Sequence, residues 1–417
     1  MKKVLALFLC AVFCFAVFAQ STNEQAVDSK ETVEITYWSY WEATEPQGVV
    51  ISEAAKAFEN ETGIKVNIEF KGRSGIKNTI EASLDAGVEI DLFDDNFDRS
   101  NGQWTKFTLD LEDLYKKYDY EATALPAVLA NCRAVSGGTI HVVPYQPSVY
   151  AFVYNTEIFE KAGITKTPAT WEEFLDCCEK IKNAGYYPCT SDDAYALQYF
   201  GFYLGRLAGQ DVVKSLTANG GWSKSAEALE AAKAFEDMAK KGYFSPYIAS
   251  NVYPAGQNGE FALGEAAMIY CGSFLPNELK GIVGSDYVWG AFAFPTVPNG
   301  KYGYEYANIS GTCMNIPSAS KHADEAFRFA MYLTQGEWDA KLSKETIGVP
   351  SDSRNTEWPA QLANFKVVFD MAKYRWDSAA GVRSNSKTQP ALKAAFIKLC
   401  AGQCTAEEFL AACDAAY

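Results

Sequence analysis

The sequence predicts an α/β protein built as two lobes, each a mostly parallel sheet flanked by helices. Three observations carry this. The chain has 417 residues, 48% of them hydrophobic, more than one compact core accommodates, so two domains are expected, with one large α/β unit as the alternative. Residues 33–93 alternate between period-two and period-3.6 apolar patterns, and a second alternation of the same kind starts near Tyr150. An aromatic share of 14% beside a charged share of 21% belongs to a folded chain, not a disordered one.

Taken in order, the N-terminus reads Met1-Lys2-Lys3, then 15 apolar residues from Val4 to Phe18, then Ala19-Gln20. This is the pattern of a cleaved signal peptide over residues 1–19, with Val17-Phe18-Ala19 before the cut and Gln20 as the mature start. The run is too short to span a bilayer. Cys10 and Cys14 follow Leu9 and Phe13 inside the run, where lipid attachment would need a small residue, so lipidation is not expected. Residues 20–31 are polar and read as a flexible leader.

Val33, Ile35 and Tyr37 alternate with polar neighbours, a first strand. A helix follows from Pro46, with Val50, Ala54, Ala55 and Phe58 on one face. Proline suits its first turn, and Gly63 suits its end. Val66, Ile68 and Phe70 alternate as a second strand. A helix from Ile76 to Asp85 stops at Gly87, and Ile90-Asp91-Leu92-Phe93 is a third strand. This β-α-β-α-β order implies parallel pairing with right-handed crossovers. Beyond it, Tyr150 to Asn155 reads as a strand. Thr170 with Glu173, and Thr405 with Glu408, are capping boxes that open helices. Glu260 to Met268 reads as helix, Met268 to Cys271 as strand, and Phe327 to Leu333 as part of a helix begun near Asp324.

Charge and rare residues exclude much chemistry. Lys plus Arg number 37 against 52 Asp plus Glu, a net charge of −15 with no basic run, which argues against nucleic acid as a partner. The two histidines, His141 and His322, cannot build a histidine metal site. One reads as a strand residue and the other as a helix start. No phosphate-cradling glycine loop and no Cys-x-x-Cys pair occurs. Of 11 cysteines, two lie in the signal segment. The other nine read mostly as small buried hydrophobes.

Binding sites on such sheets lie beyond the C-terminal strand ends. Those ends carry Trp38, Tyr40, Trp41 and Glu42, then Arg73, then Asp95, Asn96, Asp98 and Arg99. Aromatic faces beside Arg, Asp and Asn suit a sugar: rings cover C–H faces while the polar groups pair with neighbouring hydroxyls.

Longer segments match in order and spacing. They include Phe58-Glu-Asn-Glu-Thr-Gly-Ile-Lys-Val66, Val153-Tyr154-Asn155-Thr156-Glu157-Ile158-Phe159, Gly264-Glu265-Ala266-Ala267-Met268 and Cys271-Gly272-Ser273-Phe274. Over nearly the whole mature chain the sequence resembles the extracellular solute-binding proteins of ABC transporters, in the sugar-binding group that includes maltodextrin-binding protein. The resemblance implies a two-lobed periplasmic-binding-protein fold, class II-like, with a hinge. Lobe 1 would hold residues 32–146 and 309–349, and lobe 2 residues 147–308 and 350–417. The crossings would fall near Tyr145, Asn308 and Val349. Glu42 falls where relatives place an acidic sugar ligand, Asp98-Arg99 on their Asp-Arg pair, and Tyr199 on a stacking tyrosine. Phe274, beside Ser273, stands where a stacking Trp is usual. Asp95 replaces a Trp of maltodextrin binders, and Trp376 matches a late aromatic position approximately.

The resemblance implies a monomeric, exported binding component that captures a mono- or oligosaccharide between its lobes and hands it to the membrane subunits of an ABC permease. No cofactor, metal or catalysis is expected. The alternatives are a non-sugar solute such as a polyamine on the same fold, and a secreted carbohydrate-active enzyme, for which no pair of carboxylates is marked out.

Overall fold

A computed structural model describes residues 33–284 and 286–417 of the chain. The signal segment and leader lie outside the described residues. The strand β1 (Glu34–Ser39) pairs in parallel with β2 (Lys65–Phe70) on one side and β3 (Leu92–Asn96) on the other. This is the β-α-β-α-β unit expected from the apolar periods. Its first helix, Pro46–Thr62, buries Val50, Ile51, Ala54, Ala55 and Phe58. Gly63 ends it at φ 73°, a left-handed backbone that glycine adopts without a Cβ penalty, and its N–H reaches Glu59 O.

Two boundaries differ from the sequence reading, and both bear on the cavity between the lobes. The second helix spans Gly72–Asp85 and starts four residues before Ile76. Gly72 makes this possible: its φ is 67°, and a Cβ there would lie 2.0 Å from a Glu42 carboxylate oxygen. The third strand runs on to Asn96, because β9 (Ile309–Asn315) lies antiparallel beside it and matches Asp94 to Met314 and Asp95 to Cys313. Asp94 and Asp95 therefore sit inside a sheet, not on a loop, and both are fully buried.

The strand β4 (Val142–Asn155) is the longest. Its first part pairs with β9. Its later part pairs antiparallel with β6 (Ala266–Gly272) and β7 (Trp289–Phe292), and β5 (Tyr187–Cys189) lies parallel to β6. The order is β2-β1-β3-β9-β4-β6-β5, with β7 also on β4. Between Tyr145 and Ser148 the register shifts. Gln146 there has φ 45°, and Pro147 offers no N–H, so the ladder breaks where β4 passes from one half to the other. A two-strand parallel pair, β8 (Tyr306–Ala307) and β10 (Tyr374–Arg375), lies apart from this sheet.

Glycine also corrects the reading of 260–268. The helix is Ala255–Ala262, Gly264 turns the chain at φ 71°, and Ala266 to Met268 belong to β6. Both capping boxes are present, on helices Trp171–Asn183 and Ala406–Asp414. Two large apolar clusters fill the molecule, the first running on from the β1–β3 half through β4 to Ile269 and Trp289. One holds Ile35, Leu92, Val142, Met314 and Phe327, and the other Phe152, Trp171, Phe200, Phe235 and Phe396. Cys177 and Cys178 are buried, and all nine described cysteines are free. The His141 ring nitrogens meet Thr108 and Thr139, while His322 precedes helix Ala323–Thr334. No helix among the described residues is long and apolar enough to cross a membrane.

Candidate functional site

A cavity of about 800 Å³ opens where β4 and β9 pass between the two halves. From the first half it takes the segment after β1, where Tyr40 and Trp41 line it. Their rings meet edge to face at 5.2 Å. The Arg73 guanidinium lies 4.7 Å from the Trp41 ring and 5.2 Å from the Tyr40 ring, and its Nη1 is 2.8 Å from Glu45. Stacking and the ion pair hold this arginine flat against the wall.

The loop after β3 brings Asn96, Asp98 and Arg99. Arg99 is oriented from behind by Asp95, which accepts from both its Nε, at 2.6 Å, and its Nη2. Asp95 also accepts from Trp104 Nε1 at 2.8 Å. Its role is to position Arg99, and its burial keeps it off the cavity. Tyr145 likewise stands behind the wall, fully buried. It accepts from Trp41 Nε1 at 2.6 Å and donates to Asp94, whose other oxygen takes the Tyr40 N–H at 2.5 Å. Burial pushes the Asp94 carboxyl up to about 7. One buried carboxylate thus orients both aromatic residues of the β1 segment.

The second half supplies a cluster of rings. Tyr150 and Phe274 meet at 5.9 Å, Tyr150 and Tyr195 at 6.3 Å, and Tyr195 and Tyr253 at 5.5 Å. Ser273, Asn277 and Asn308 sit among them. Asn277 Oδ1 and Asn308 Oδ1 accept no hydrogen bond among the described residues. Glu278 receives the Tyr253 hydroxyl at 2.8 Å and Asn258 Nδ2 at 3.2 Å. The shielding between the lobes raises its carboxyl above the usual range. Arg383 donates to Ala194 O at 3.2 Å and faces no carboxylate within ion-pair distance among the described residues.

Arg383 and Asp377 arrive on a segment with a forced backbone. Ala379, Ala380 and Gly381 have φ of 52°, 49° and 102°. Gly201 and Gly205 let this segment lie close: a Cβ on Gly201 would meet Ala379 O at 1.9 Å, and one on Gly205 would meet the Trp376 ring at 3.0 Å. The Gly-x-x-x-Gly spacing within the apolar helix Ala196–Ala208 is the sequence signal for this close approach.

Of the residues expected at the site, Tyr40, Trp41, Arg73, Asn96, Asp98, Arg99, Ser273, Phe274 and Asn308 line the cavity. Six do not. Besides Asp95 and Tyr145, Trp38 points to the opposite face of the sheet, against Ile76, Ile80 and Trp104. Glu42 is exposed and packs on Gly72. Tyr199 is fully buried and donates to Thr190 O at 3.0 Å. Trp376 stacks on Tyr306 within the second core. The rings of Tyr150, Tyr195 and Tyr253 take the places assigned to Tyr199 and Trp376. They come from β4 and from two separate segments after β5 and before helix Ala255–Ala262, which meet only in the folded chain.

Two α/β halves with strands passing between them, enclosing a polar cavity walled by aromatic rings, define a solute-binding protein. The chain belongs to the bacterial extracellular solute-binding protein family, whose pattern matches residues 42–339. It is 26% identical over 366 residues to a binding protein of Brucella abortus, covering 81% of this chain and 84% of that one. It is 23% identical over 377 residues to a maltooligosaccharide ABC transporter solute-binding lipoprotein of Streptococcus pneumoniae, covering 81% and 82%. Its fold is similar to that of a chitin oligosaccharide binding protein, with a TM-score of 0.74 at 20% identity, covering 92% of this chain and 98% of the other.

Proposed function

We propose that this protein captures a neutral mono- or oligosaccharide between its lobes and delivers it to the membrane subunits of an ABC permease. The observation that carries this reading is the charge balance of an aromatic-walled cavity. Arg73, Arg99 and Arg383 line it together with Asp98, Glu278 and Asp377. A polyamine site would show an excess of acid, and an organic-anion site an excess of base. Rings with balanced donors and acceptors suit a polyhydroxylated ligand that carries apolar C–H faces. The names of the relatives from Streptococcus pneumoniae and of the chitin oligosaccharide binder support the same class.

The protein binds and releases its ligand unchanged, acts as a monomer and uses no cofactor. It is exported, with the signal peptide removed after Ala19. Its lobes comprise residues 32–146 with 309–349, and 147–308 with 350–417. The break in β4 at Gln146-Pro147 supports a crossing there. Binding shifts the lobes from open to closed, and the closed form engages the permease.

A thermal-shift screen of the mature protein against neutral oligosaccharides, uronic-acid oligosaccharides and polyamines tests the reading. A ligand that binds only the folded state raises the melting temperature. Neutral sugars should raise it and polyamines should not. A shift with polyamines or with uronates alone would overturn the assignment.

A further inference from the structure

Arg375 touches both halves of the molecule at once. Its backbone is fixed in the second half. It lies in β10, and the next residue, Trp376, is 2% exposed, with its ring stacked on Tyr306 at 5.2 Å and 5.7 Å from Phe202. The side chain runs the other way. Its guanidinium lies 4.6 Å from the Phe97 ring, and Nη2 donates to Asp98 Oδ1, both residues belonging to the segment that follows β3. The remaining donors are used as well. Nη1 donates to Asp377 Oδ1 at 2.6 Å, and Nε to the carbonyl of Ile309, the first residue of β9, at 2.9 Å.

This side chain is 4% exposed, whereas that of Asp98 is 54% exposed and lines the cavity. The cation therefore stands behind two cavity carboxylates, one from each half. Its planar fork fixes both directions at once, which a flexible ammonium would not do. Asp98 Oδ2 accepts no hydrogen bond among the described residues, so the free oxygen of the tethered carboxylate is the one left for a ligand hydroxyl.

We propose that Arg375 couples occupancy of the cavity to closure of the lobes, by tying the Asp98 carboxylate of one half to the core of the other. The coupling to a ligand rests on the binding role proposed above, whereas the tie itself does not. Opening the lobes about β4 and β9 pulls Asp98 away from a guanidinium that Trp376 and Asp377 hold in the other half. A hydroxyl donated to Asp98 Oδ2 fixes the same carboxylate in the arrangement the tie requires. Ligand and tie therefore favour the same closed state, and each strengthens the other.

The test begins without ligand. Small-angle scattering of the mature full chain compares wild type with Arg375→Gln, Asp98→Asn and the double variant, each checked for folding by circular dichroism. Each single variant should have a larger radius of gyration than wild type, because the tie raises the closed share of the ligand-free population. The double variant should expand no further, because both substitutions break one pair. High salt should expand the wild type towards the variants and leave the variants unchanged, since the Asp98 side of the pair is open to solvent. Arg375→Lys, which keeps the charge and loses the fork, should fall between wild type and Arg375→Gln. If Arg375→Gln does not fold, Asp98→Asn carries the test, because its exposed side chain has no packing role. An unchanged radius in Asp98→Asn, or additive expansion in the double variant, overturns the tie.

Calorimetry with a neutral oligosaccharide from the thermal-shift screen then reads the coupling. Arg375→Gln should weaken binding on the order of tenfold although Arg375 lines no part of the cavity. Equal affinity in wild type and Arg375→Gln would overturn the coupling. If no carbohydrate binds at all, the proposed function fails while the ligand-free scattering still decides the tie.

Discussion

The two halves build their cavity walls differently. The first half uses side chains clamped by partners behind them: Arg99 by Asp95, Arg73 by Glu45 and two rings, and Trp41 by Tyr145 and Asp94. All come from strand ends or the short segments after them. The second half uses rings from separate segments, with Tyr150 of β4, Tyr195, Tyr253 and Phe274 meeting edge to face or tilted, and Glu278 and Arg383 without counter-ions at ion-pair distance among the described residues. A clamped wall presents fixed hydrogen-bond directions. A wall of rings presents a surface that accepts apolar faces of different length. The first should therefore set which hydroxyl pattern is recognised, and the second how much affinity stacking adds.

The largest test of this contrast separates a buried ring from a cavity ring. Tyr199→Ala removes a fully buried ring and should destabilise the protein by ~3–5 kcal/mol, leaving the affinity of the folded fraction unchanged. Chemical denaturation with calorimetry on the folded protein checks both halves of that statement. Trp41→Ala should cost ~2–4 kcal/mol of binding as an aromatic anchor does, or about 30-fold or more in Kd, and should lower stability as well, since this cavity ring is 7% exposed and its Nε1 is bonded to Tyr145. Equal losses of affinity from both substitutions would erase the distinction between core and cavity rings.

Uncompensated and clamped charges should also differ. Glu278→Gln should weaken binding by ~1.5–3 kcal/mol, the worth of a hydrogen bond to a charged group, and should do so with little dependence on pH above the Glu278 titration. The buried carboxylate behind the first wall behaves otherwise. Asp94 titrates at about 7, above the ~3.9 of an unfolded aspartate. The unfolded chain therefore loses this proton first. The stability contributed by protonated Asp94 is full below pH ~4 and is lost as pH rises through 7. Asp192 in the second half, raised by burial to about 6, acts in the same direction over a narrower window. Melting temperatures from pH 5 to 8 should fall more steeply in wild type than in Asp94→Asn, and the difference should exceed that given by Asp192→Asn. Parallel curves for wild type and Asp94→Asn would place the carboxylate in a less buried setting.

The smallest expected effect is at Glu42. Its side chain is exposed on Gly72 outside the cavity wall, so Glu42→Ala should change stability by no more than ~0.5 kcal/mol and leave the Kd within about twofold. A tenfold loss would move the wall outward to include it.

The sequence by itself determined the local elements, because their signals are local. Pro46 and Gly63 bracket a helix, and Thr170-x-x-Glu173 opens another. The alternation Ile35, Tyr37 and the strand-end rule placed Tyr40, Trp41, Arg73 and Arg99 at the cavity. What it could not determine depends on partners far along the chain. Asp95 reads as a loop acid until β9, more than 200 residues later, extends the sheet past it and turns it inward. Tyr199 and Trp376 read as stacking rings until the helix Ala196–Ala208 is seen to be buried on every side. Tyr150, Tyr195 and Tyr253 look like any tyrosines until three separated segments meet. A side chain's type follows from the chain alone. Whether it faces ligand or core follows from what packs on its other side, and only the tertiary structure supplies that neighbour.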